Sequence, residues 1–386
     1  MKLKFNENGK FVIMQVSDAQ DLQHVRHTMV RMLNKAYDTV KPDLVFFTGD
    51  NILGNHLRDA RIGSRKVIHT REGEFAAMEK AIRHIVAPLE KRNIPFAMIY
   101  GNHDDMNEIT KDEQAGIYLS SPLCAGLGDE TTPEVGTFSL PVYSHDGGKK
   151  VFNLWGMDSA WMDKKTGICH TGVKKEAVDW YIRKSEELEA ENGGTPLPSL
   201  MFQHIAVPEM SALMTAAKQG EPNAVPSYKN GKKNEYVKLD PAKARGILGE
   251  PICGCRENYG EFNAIKQRGD VLALILGHEH INNYDASLDG VRIIQSSAAS
   301  FRCYGDRTRG VRVFVLDEND PTSFETYNLF YSDLCGTSPL SELAYVWDAD
   351  GEGKKKAALT AGGILCTAGA IAGTLSLIKK TAIIRH

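Results

Sequence analysis

The side chains able to do chemistry occur in five short groups, and each group directly follows an apolar run. The runs are FVIMQVS, LVFFT, PFAMIY, SLMFQ and VLALIL, and the residues presented after them are Asp18, Asp50, Asn102 with His103, His204, and His278 with His280. A short apolar run ending in Gly, Asp or His is typical of a buried strand with a polar residue at its carboxyl end. In open α/β sheets ligands bind at that edge. We therefore expect carboxylate, amide and imidazole groups to meet at one place, as a metal site requires.

This combination of side chains suits a pair of divalent cations. Two cations about 3.5–4 Å apart activate a bridging water and screen the oxygens of a phosphate ester during its hydrolysis. Such a pair needs hard carboxylate oxygens, imidazole nitrogens and one carboxylate shared by both ions. Asp50 and Asn102 each follow a glycine, which lets the backbone turn sharply where the strand ends. His278 and His280 are two residues apart and therefore face the same side of an extended segment.

The ordered set GDN, GNHD, an isolated His after a strand and GHxH resembles the calcineurin-like metallophosphoesterases, roughly over residues 11–330. The phrases LWGMDS at 154–159, QHIAVPE at 203–209 and GHEHINN at 277–283 resemble a branch of fungal cell-cycle phosphatases and plant purple-acid-phosphatase-like proteins. The resemblance implies an α/β fold, namely a four-layer α/β/β/α sandwich of two mixed sheets. It also implies two divalent cations (Mn, Fe, Zn or Mg) and phosphoester hydrolysis by a metal-bound hydroxide, with no covalent enzyme intermediate.

Carried over to this sequence, the resemblance gives each residue a role. The implied ligands are Asp18 and His280 for the first cation, Asp50 as the bridge, and Asn102, His204 and His278 for the second cation. His103 is not a ligand in this family. It is implied to approach the phosphate and the leaving group, as a general acid or an electrostatic stabiliser.

The first group departs from the family pattern, which is Asp-x-His, because this chain has Asp18-Ala19-Gln20. The carbonyl oxygen of Gln20 can bind a hard cation, but it is a poorer donor than imidazole for transition metals. We predict a weaker first site, or one shifted towards Mn or Mg, with Gln20 as a metal ligand. Asp21 or His24 are alternative ligands. A site that has lost turnover is the other interpretation of this departure.

The order of apolar runs and amphipathic stretches predicts the elements that position these groups. We expect strands at 11–18, 44–48 and 95–100, with helices at 21–40 and 74–92 between them, which is the alternation of parallel βαβ units. Residues 106–136 are expected to be irregular, and residues 209–249 are expected to form a mobile insertion near the site. Asp158 and Ser159 are expected to cap the residues after them, with a place near the phosphate as the alternative.

Two basic stretches have two interpretations, a solvated surface or a basic rim that attracts a phosphorylated substrate. We favour the solvated surface for both. The first stretch contains Arg58, Arg61, Arg65, Lys66 and Arg71, and the second contains Lys229, Lys232, Lys233, Lys238 and Lys243.

Composition limits the function further. The chain has 386 residues, of which 42% are hydrophobic, and a formal net charge of −3, so it can bury a large core but has no overall positive field for nucleic acid. We expect no nucleic-acid binding. Its seven cysteines contain no CxxC pair, which favours reduced thiols and a reducing compartment. The first residues, MKLKFNENGKFVIMQ, show no signal-peptide pattern.

The C-terminal part differs from the rest. We predict a phosphoesterase domain over 1–331, a linker over 332–356 and a transmembrane helix over 357–378, where 22 uncharged residues lie between lysines. The alternative for this last segment is a soluble Ala/Gly-rich tail or a helix packed on the domain. With a membrane anchor, the simplest arrangement is a catalytic domain in the cytoplasm, tethered through its C-terminus.

The sequence thus predicts a metal-dependent phosphoester hydrolase, either a phosphatase or a phosphodiesterase. Its substrate is a phosphorylated molecule whose class the sequence does not select. The second hypothesis is a membrane-tethered binding or scaffold protein that keeps the fold but not catalysis. Gln20 favours this second hypothesis, and the intact GNHD and GHEH motifs count against it.

Overall fold

Strands build the sheets of the fold, and helices cover them. The structure, a computed structural model, describes residues 1–59, 67–128, 131–163, 165–167, 170–227 and 235–349. The strands in chain order are β1 Leu3–Lys4, β2 Lys10–Val16, β3 Leu44–Thr48, β4 Phe96–Ile99, β5 Cys124–Gly126, β6 Phe138–Tyr143, β7 Lys150–Met157, β8 Ser199–Gln203, β9 Met214–Ala217, β10 Val225–Pro226, β11 Tyr236–Leu239, β12 Ala244–Ile247, β13 Val271–Leu276, β14 Asn283–Leu288, β15 Val291–Gln295, β16 Gly310–Asp317 and β17 Phe324–Phe330.

Helices lie between and after these strands. They are α1 His27–Val40, α2 Arg71–Glu90, α3 Asn102–Asp105, α4 Lys111–Leu119, α5 Lys175–Glu191, α6 Glu261–Arg268, α7 Tyr331–Cys335 and α8 Pro339–Asp348, with short 3-10 turns at Gly54–His56 and Pro208–Leu213. The predicted helix at 21–40 begins only at His27, because Asp21 forms a β-bridge with Ile52 and the residues after it bend before an extended Arg26. The predicted helix at 74–92 begins at Arg71, where the Thr70 side chain accepts a hydrogen bond from the amide of Gly73.

Two mixed sheets form the centre of the fold. The six-stranded sheet has the order β17-β16-β2-β3-β4-β5, and β2 to β5 are parallel. The eight-stranded sheet has the order β1-β6-β7-β8-β13-β15-β14-β12, and β7, β8, β13 and β15 are parallel. Parallel neighbours need crossover connections. Helices supply them, except between β13 and β15, which are connected through β14. The parallel βαβ alternation predicted for the first hundred residues is present.

Three apolar layers hold the sandwich together. The middle layer lies between the sheets and includes the stacked pair Phe46 and Phe202, whose ring centroids are 3.9 Å apart. A second layer packs α1 and α2 on the outer face of the six-stranded sheet. A third packs α5 and α6 on the outer face of the eight-stranded sheet. Each sheet is therefore buried on both faces, as its near-continuous apolar strands require. The predicted four-layer α/β/β/α sandwich is confirmed.

Two segments are more ordered than their sequence indicated. Residues 106–136 contain α4, which begins with a capping box between Thr110 and Glu113. The stretch at 209–249 contributes β9, β10 and β11, a small antiparallel sheet, and β12, which joins the edge of the large sheet. Periodicity did not reveal these strands because each has only two to four residues. The described residues of this range thus form strands that the sequence did not predict, whereas the mobility expected of the insertion stays a prediction.

The predicted linker also differs from the structure. Residues 331–348 form α7 and α8, and Tyr345 of α8 is buried against Phe301 with ring centroids 5.1 Å apart. The hydroxyl of Tyr345 also accepts a hydrogen bond of 2.8 Å from Arg309. The aromatic ring anchors the segment to the core, so residues 332–349 are part of the folded body. The transmembrane helix predicted at 357–378 lies outside the described residues, and within those described no helix has the length and apolar character to cross a bilayer.

Candidate metal centre

The polar groups after five strands converge where the two sheets meet. Asp18, Asp50 and Asn102 follow β2, β3 and β4, which are adjacent parallel strands of the six-stranded sheet. His204 follows β8, and the two histidines of GHEH follow β13, its parallel neighbour in the other sheet. The carboxyl ends of these strands point to a common edge. The six implied ligands and Gln20 are therefore brought together, although they span more than 260 residues of sequence.

One group of ligands surrounds Asp18. Its Oδ1 lies 3.5 Å from Nε2 of His280. Candidate ligand atoms of Asp18, Asp50 and His280 lie within 4.8 Å of one another, and all three residues are buried. Gln20 completes this group, because its Nε2 donates to Oδ2 of Asp50 at 3.2 Å. We call Asp18, Gln20, Asp50 and His280 the first subsite.

A second group lies on the other side of Asp50. Nε2 of His204 is 3.4 Å from Oδ1 of Asp50 and 3.2 Å from Oδ1 of Asn102. Candidate ligand atoms of Asp50, His204 and His278 lie within 4.8 Å of one another. We call Asp50, Asn102, His204 and His278 the second subsite. The two subsites share Asp50, the residue to which the resemblance assigns the bridging role.

Backbone carbonyls orient the two best-placed imidazoles. Nδ1 of His204 is 2.9 Å from the carbonyl oxygen of Thr48, and Nδ1 of His280 is 2.9 Å from that of Tyr304. A carbonyl accepts only from N–H, so in each neutral ring the proton lies on Nδ1 and the lone pair on Nε2. Both lone pairs therefore face the carboxylates. This is the arrangement in which outer partners fix the tautomer of a metal-binding histidine.

The backbone at these strand ends is strained. Asp18, Gln20, Asp50 and His278 have positive φ angles of 47°, 36°, 46° and 75°, in the left-handed region that residues with a Cβ rarely adopt. Such strain persists where the surrounding structure enforces it, and it clusters at functional sites. The backbone of Gly101 lies close to the side chain of Asp50. Only glycine allows this approach, since a Cβ there would be 2.2 Å from Oδ1 of Asp50.

The charges of the two subsites are strongly coupled. Burial alone would raise the pKa of Asp50, but the imidazoles of His204 and His103 hold that pKa below its ordinary value. Burial opposes protonation of His204, yet Asp50 raises the pKa of this imidazole to about 9. Burial and the neighbouring His204 lower the pKa of His278 well below its ordinary value. Asp50 therefore favours the charged form of His204, whereas burial and the charge of His204 disfavour the charged form of His278.

The donor set fits divalent cations. Among the buried side-chain atoms of the described residues, Oδ1 of Asp18 and Oε1 of Gln20 have no hydrogen-bond partner. An unsatisfied buried oxygen is costly, and a cation is the partner that carboxylate and amide oxygens would share here. Carboxylates, amide oxygens and imidazoles together are the ligands of Mn, Fe, Zn and Mg.

Comparison with known proteins identifies the family of the chain. The family model for calcineurin-like phosphoesterases matches residues 11–282. The chain belongs to the calcineurin-like phosphoesterase family. It is 24% identical over 354 residues to the Arabidopsis thaliana protein named probable inactive purple acid phosphatase 14, covering 82% of this chain and 77% of that one. It is 26% identical over 309 residues to phosphatase DCR2 of Saccharomyces cerevisiae, covering 73% of this chain and 46% of that protein. A solved dimetal phosphatase from Danio rerio matches with 13% identity and a TM-score of 0.46, over 83% of this chain and 99% of that one.

His103 lies at the rim of the centre. Its amide donates to Oδ1 of Asp50 at 2.8 Å, and its Nε2 is 4.0 Å from Oδ2 of the same carboxylate. Nδ1 donates a hydrogen bond of 2.8 Å to Oδ1 of Asn55. The His103 side chain is 27% exposed, whereas that of Asp50 is 1% exposed, so this ring is open to a substrate. Burial lowers the pKa of His103, against the opposing effect of Asp50.

The alternatives to Gln20 do not enter the first subsite. Asp21 is held by an ion pair with Arg302, and it accepts from the amides of Leu22 and Arg26 at 2.8 and 2.7 Å. His24 is exposed on the turn before α1. Of the three candidates, Gln20 is the one whose side chain contacts Asp50.

Asp158 and Ser159 have structural contacts. Asp158 accepts from the amide of Ala160 at 3.1 Å and forms an ion pair of 2.5 Å with Lys111. The hydroxyl of Ser159 accepts from the amide of His204 at 3.1 Å, so it supports the strand end that presents His204.

The basic stretches are neutralised wherever the structure describes them. Arg58 pairs with Glu74 and Glu108, Arg71 with Glu113, Lys238 with Glu221, and Lys243 with Asp240. Their charges are therefore compensated, which agrees with the solvated surface that the sequence favoured. Arg61, Arg65, Lys66, Lys229, Lys232 and Lys233 lie outside the described residues.

Sequence reasoning missed two neighbours of the centre. The ring of His170 contacts that of His278, with centroids 4.7 Å apart, and the thiol of Cys253 is 3.9 Å from Nδ1 of His170. His170 follows no apolar run. Cys253 lies between Pro251 and Gly254, in a stretch without the alternation or helical spacing that would predict a strand or a helix. The GHEH motif marked His278, but no signal connected it to these two residues.

Proposed function

We propose that this protein is a metal-dependent phosphoester hydrolase that uses two divalent cations. The observation that carries the proposal is the pair of ligand groups sharing Asp50, each with its candidate ligand atoms within 4.8 Å of one another. A shared carboxylate between two groups of hard and borderline donors is what a two-cation hydrolase requires. Membership of the calcineurin-like phosphoesterases supports the same reaction class.

The residues of the two subsites would hold the cations. The first ion would be held by Asp18, Gln20 and His280, the second by Asn102, His204 and His278, and both by Asp50. Mn, Fe, Zn and Mg all suit this donor set, and the neutral amide of Gln20 favours Mn or Mg in the first subsite. When bound, the ions activate water as a nucleophile and screen the charge on the phosphoryl oxygens.

The remaining chemistry belongs to His103. Asn55 occupies Nδ1 of this imidazole, so Nε2 is the nitrogen that gains or loses the exchangeable proton. Nε2 is 4.0 Å from Oδ2 of Asp50, and the His103 side chain is the more exposed of the two, so a phosphoester would meet it first. We assign His103 the transfer of a proton from Nε2 to the leaving oxygen, or stabilisation of the charge that develops there.

A second candidate function is binding without turnover. It is favoured by Gln20 in place of the usual imidazole and by relatives whose names contain "probable inactive". In that case the fold would serve as a scaffold for a phosphorylated partner, tethered to a membrane if residues 357–378 insert in one. Loss of one imidazole weakens one subsite, whereas Asp50, His103 and the second subsite are all present, so we favour hydrolysis.

The experiment uses the purified full-length chain, stripped of metal and reloaded with Mn²⁺. p-Nitrophenyl phosphate and bis-p-nitrophenyl phosphate are the two substrates, which also separates monoesterase from diesterase activity. We expect Mn²⁺-dependent release of nitrophenol from at least one of them. His103→Ala is the matched control and should be inactive. Saturable Mn²⁺ binding without release from either ester would favour the scaffold.

A further inference from the structure

Three side chains next to the second subsite form another metal-ligating group. The thiol of Cys253 is 3.9 Å from Nδ1 of His170, and the rings of His170 and His278 meet edge to face with centroids 4.7 Å apart. Candidate ligand atoms of His170, Cys253 and His278 all lie within 4.8 Å of one another. The group contains sulfur, which the two subsites lack.

Backbone hydrogen bonds fix this group to the loops of the metal centre. The amide of Arg256 donates to the carbonyl of His170 at 2.9 Å, and the amide of Cys255 donates to that of Ala206 at 2.8 Å. The amide of Cys253 donates to the carboxylate of Glu279 at 2.6 Å, directly beside His278. The thiol and the imidazoles are therefore held together by the fold, and do not meet by chance at the end of long side chains.

The spacing agrees with a tetrahedral ion. With a Zn–S distance of about 2.3 Å and a Zn–N distance of about 2.05 Å, a sulfur and a nitrogen ligand on one tetrahedral zinc are about 3.6 Å apart. The observed 3.9 Å between Cys253 Sγ and His170 Nδ1 requires only a small side-chain adjustment. Two imidazoles and a thiolate give three protein ligands and leave one position open.

We propose that Cys253, His170 and His278 form a third cation site, selective for a thiophilic ion such as Zn²⁺. Mg²⁺ and Mn²⁺ prefer oxygen ligands, so the thiolate makes this site a poor one for the ions that the first subsite favours. Cys253 is exposed and borders a cleft of about 900 Å³ next to the small sheet of β9, β10 and β11, which gives ions a path to it.

The shared residue makes this site inhibitory. A neutral imidazole has a single lone pair, so His278 cannot serve the second subsite and the third site together unless it also loses its N–H proton. A thiophilic ion held by Cys253 and His170 therefore withdraws His278 from the catalytic pair. This consequence rests on the proposed function, whereas binding of the ion does not.

Cobalt binding tests the site without reference to activity. The metal-free full-length chain is titrated with Co²⁺, and the near-ultraviolet thiolate-to-cobalt charge-transfer band is recorded. We expect a saturable band that Zn²⁺ abolishes, that Cys253→Ser lacks, and that the matched variant Cys255→Ser keeps. His170→Ala should weaken the cobalt affinity that the titration of this band measures by at least about tenfold. Absence of the band in the unmodified chain, or its persistence in Cys253→Ser, overturns the proposal.

Cys169, which precedes His170 and lies outside the described residues, provides a further control. Loss of the band in Cys169→Ser with retention in Cys253→Ser also overturns the assignment. Inhibition is tested separately on the Mn²⁺-loaded chain with p-nitrophenyl phosphate. Cys253→Ser should keep the basal rate and need at least about tenfold more Zn²⁺ for half-inhibition. A cobalt band without any hydrolysis contradicts only the proposed function, and hydrolysis without the band contradicts only the third site.

Discussion

The first and second subsites differ in the donors that they offer. The second subsite has two imidazoles, an amide and the shared carboxylate of Asp50. The first has two carboxylates but only one imidazole, that of His280, and its fourth donor is the amide of Gln20. Oε1 of Gln20 and Oδ1 of Asp18 are buried without hydrogen-bond partners among the described residues. Imidazole binds transition metals better than an amide oxygen does, so the first subsite is expected to be the weaker of the two.

The different donors of the two subsites indicate which metal ions each subsite would select. Both subsites are anchored on Asp50, so neither is independent of the other. The imidazole-rich second subsite suits Zn or Fe, whereas the oxygen-rich first subsite suits Mn or Mg. The activity of the chain would then depend on the ion available to the first subsite.

The largest expected effect comes from the residue that the subsites share. Asp50→Asn should remove both ions and lower kcat/KM by more than about 10⁴-fold, because water activation and charge screening are lost together. Metal content by mass spectrometry and hydrolysis of p-nitrophenyl phosphate measure the two effects. A variant that retains one ion per chain at wild-type affinity would show that the subsites do not depend on a common ligand.

His103 tests whether the rim is separate from both subsites. His103→Ala should lower kcat by about 10²–10⁴-fold, the usual contribution of general acid catalysis or of a charge stabiliser, with metal content unchanged. His103→Asn is the matched polar control, and it should keep the fold. An equal loss of bound metal would instead make His103 a ligand, and the comparison of two four-residue subsites would then be incomplete.

Much of this arrangement was predictable because the residues follow their strands directly. Asp50 and Asn102 come after glycines at the ends of apolar runs, so their common edge could be inferred from the parallel order of the strands. The sandwich and the family were predicted and are confirmed. That the implied residues converge is observed, and their roles as ligands stay predictions.

The rest depended on contacts that no local pattern encodes. Thr48 and Tyr304 orient His204 and His280 through backbone carbonyls, for which residue type gives no signal. Helix α8 was predicted as part of a linker because only two of its ten residues are buried. The contacts that bury Tyr345 come from distant parts of the chain, and the local sequence does not indicate them. His170 reaches His278 only through tertiary folding.

Glu261, the buried first residue of α6, gives the next largest effect. Burial and the nearby Glu209 raise the pKa of its carboxyl to about 8, while contact with Gln203, the last residue of β8, opposes the rise. A carboxyl whose folded-state pKa is raised stabilises the fold fully below its unfolded pKa, and that stability is lost as pH rises towards 8. Glu261→Gln should therefore match the unmodified chain at pH 4 and exceed it in unfolding free energy at pH 8.5, by on the order of 2–4 kcal/mol.

Urea unfolding at the two pH values measures this difference. The exposed Glu257, four residues earlier, is the matched control, and Glu257→Gln should show no change of this kind. An equal effect of Glu261→Gln at both pH values would mean that the carboxyl is charged in the fold and is paired in some other way.

A substitution at Gln20 tests whether the first subsite is weaker because it has only one imidazole. Gln20→His restores the imidazole of the family pattern and should tighten Zn²⁺ or Fe²⁺ binding in the first subsite by about tenfold, or about 1.4 kcal/mol. Isothermal titration of the metal-free chain measures it, with His24→Gln as a control that should have no effect. Unchanged affinity, with both ions bound at micromolar concentration in the unmodified chain, would show that the amide is no handicap.

The smallest expected effect concerns the support of His280. The ring of Tyr304 stacks on this imidazole with centroids 4.3 Å apart, and its hydroxyl donates to Glu250 at 2.8 Å. Tyr304→Leu removes the stacking but leaves the backbone carbonyl that holds Nδ1 of His280. The first subsite should therefore lose only about two- to fivefold in metal affinity, the equivalent of about 0.5–1 kcal/mol, and the second subsite should lose none. A loss of equal size in both subsites would mean that Tyr304 acts through the shared Asp50, and that the two subsites cannot be perturbed separately even from their outer shells.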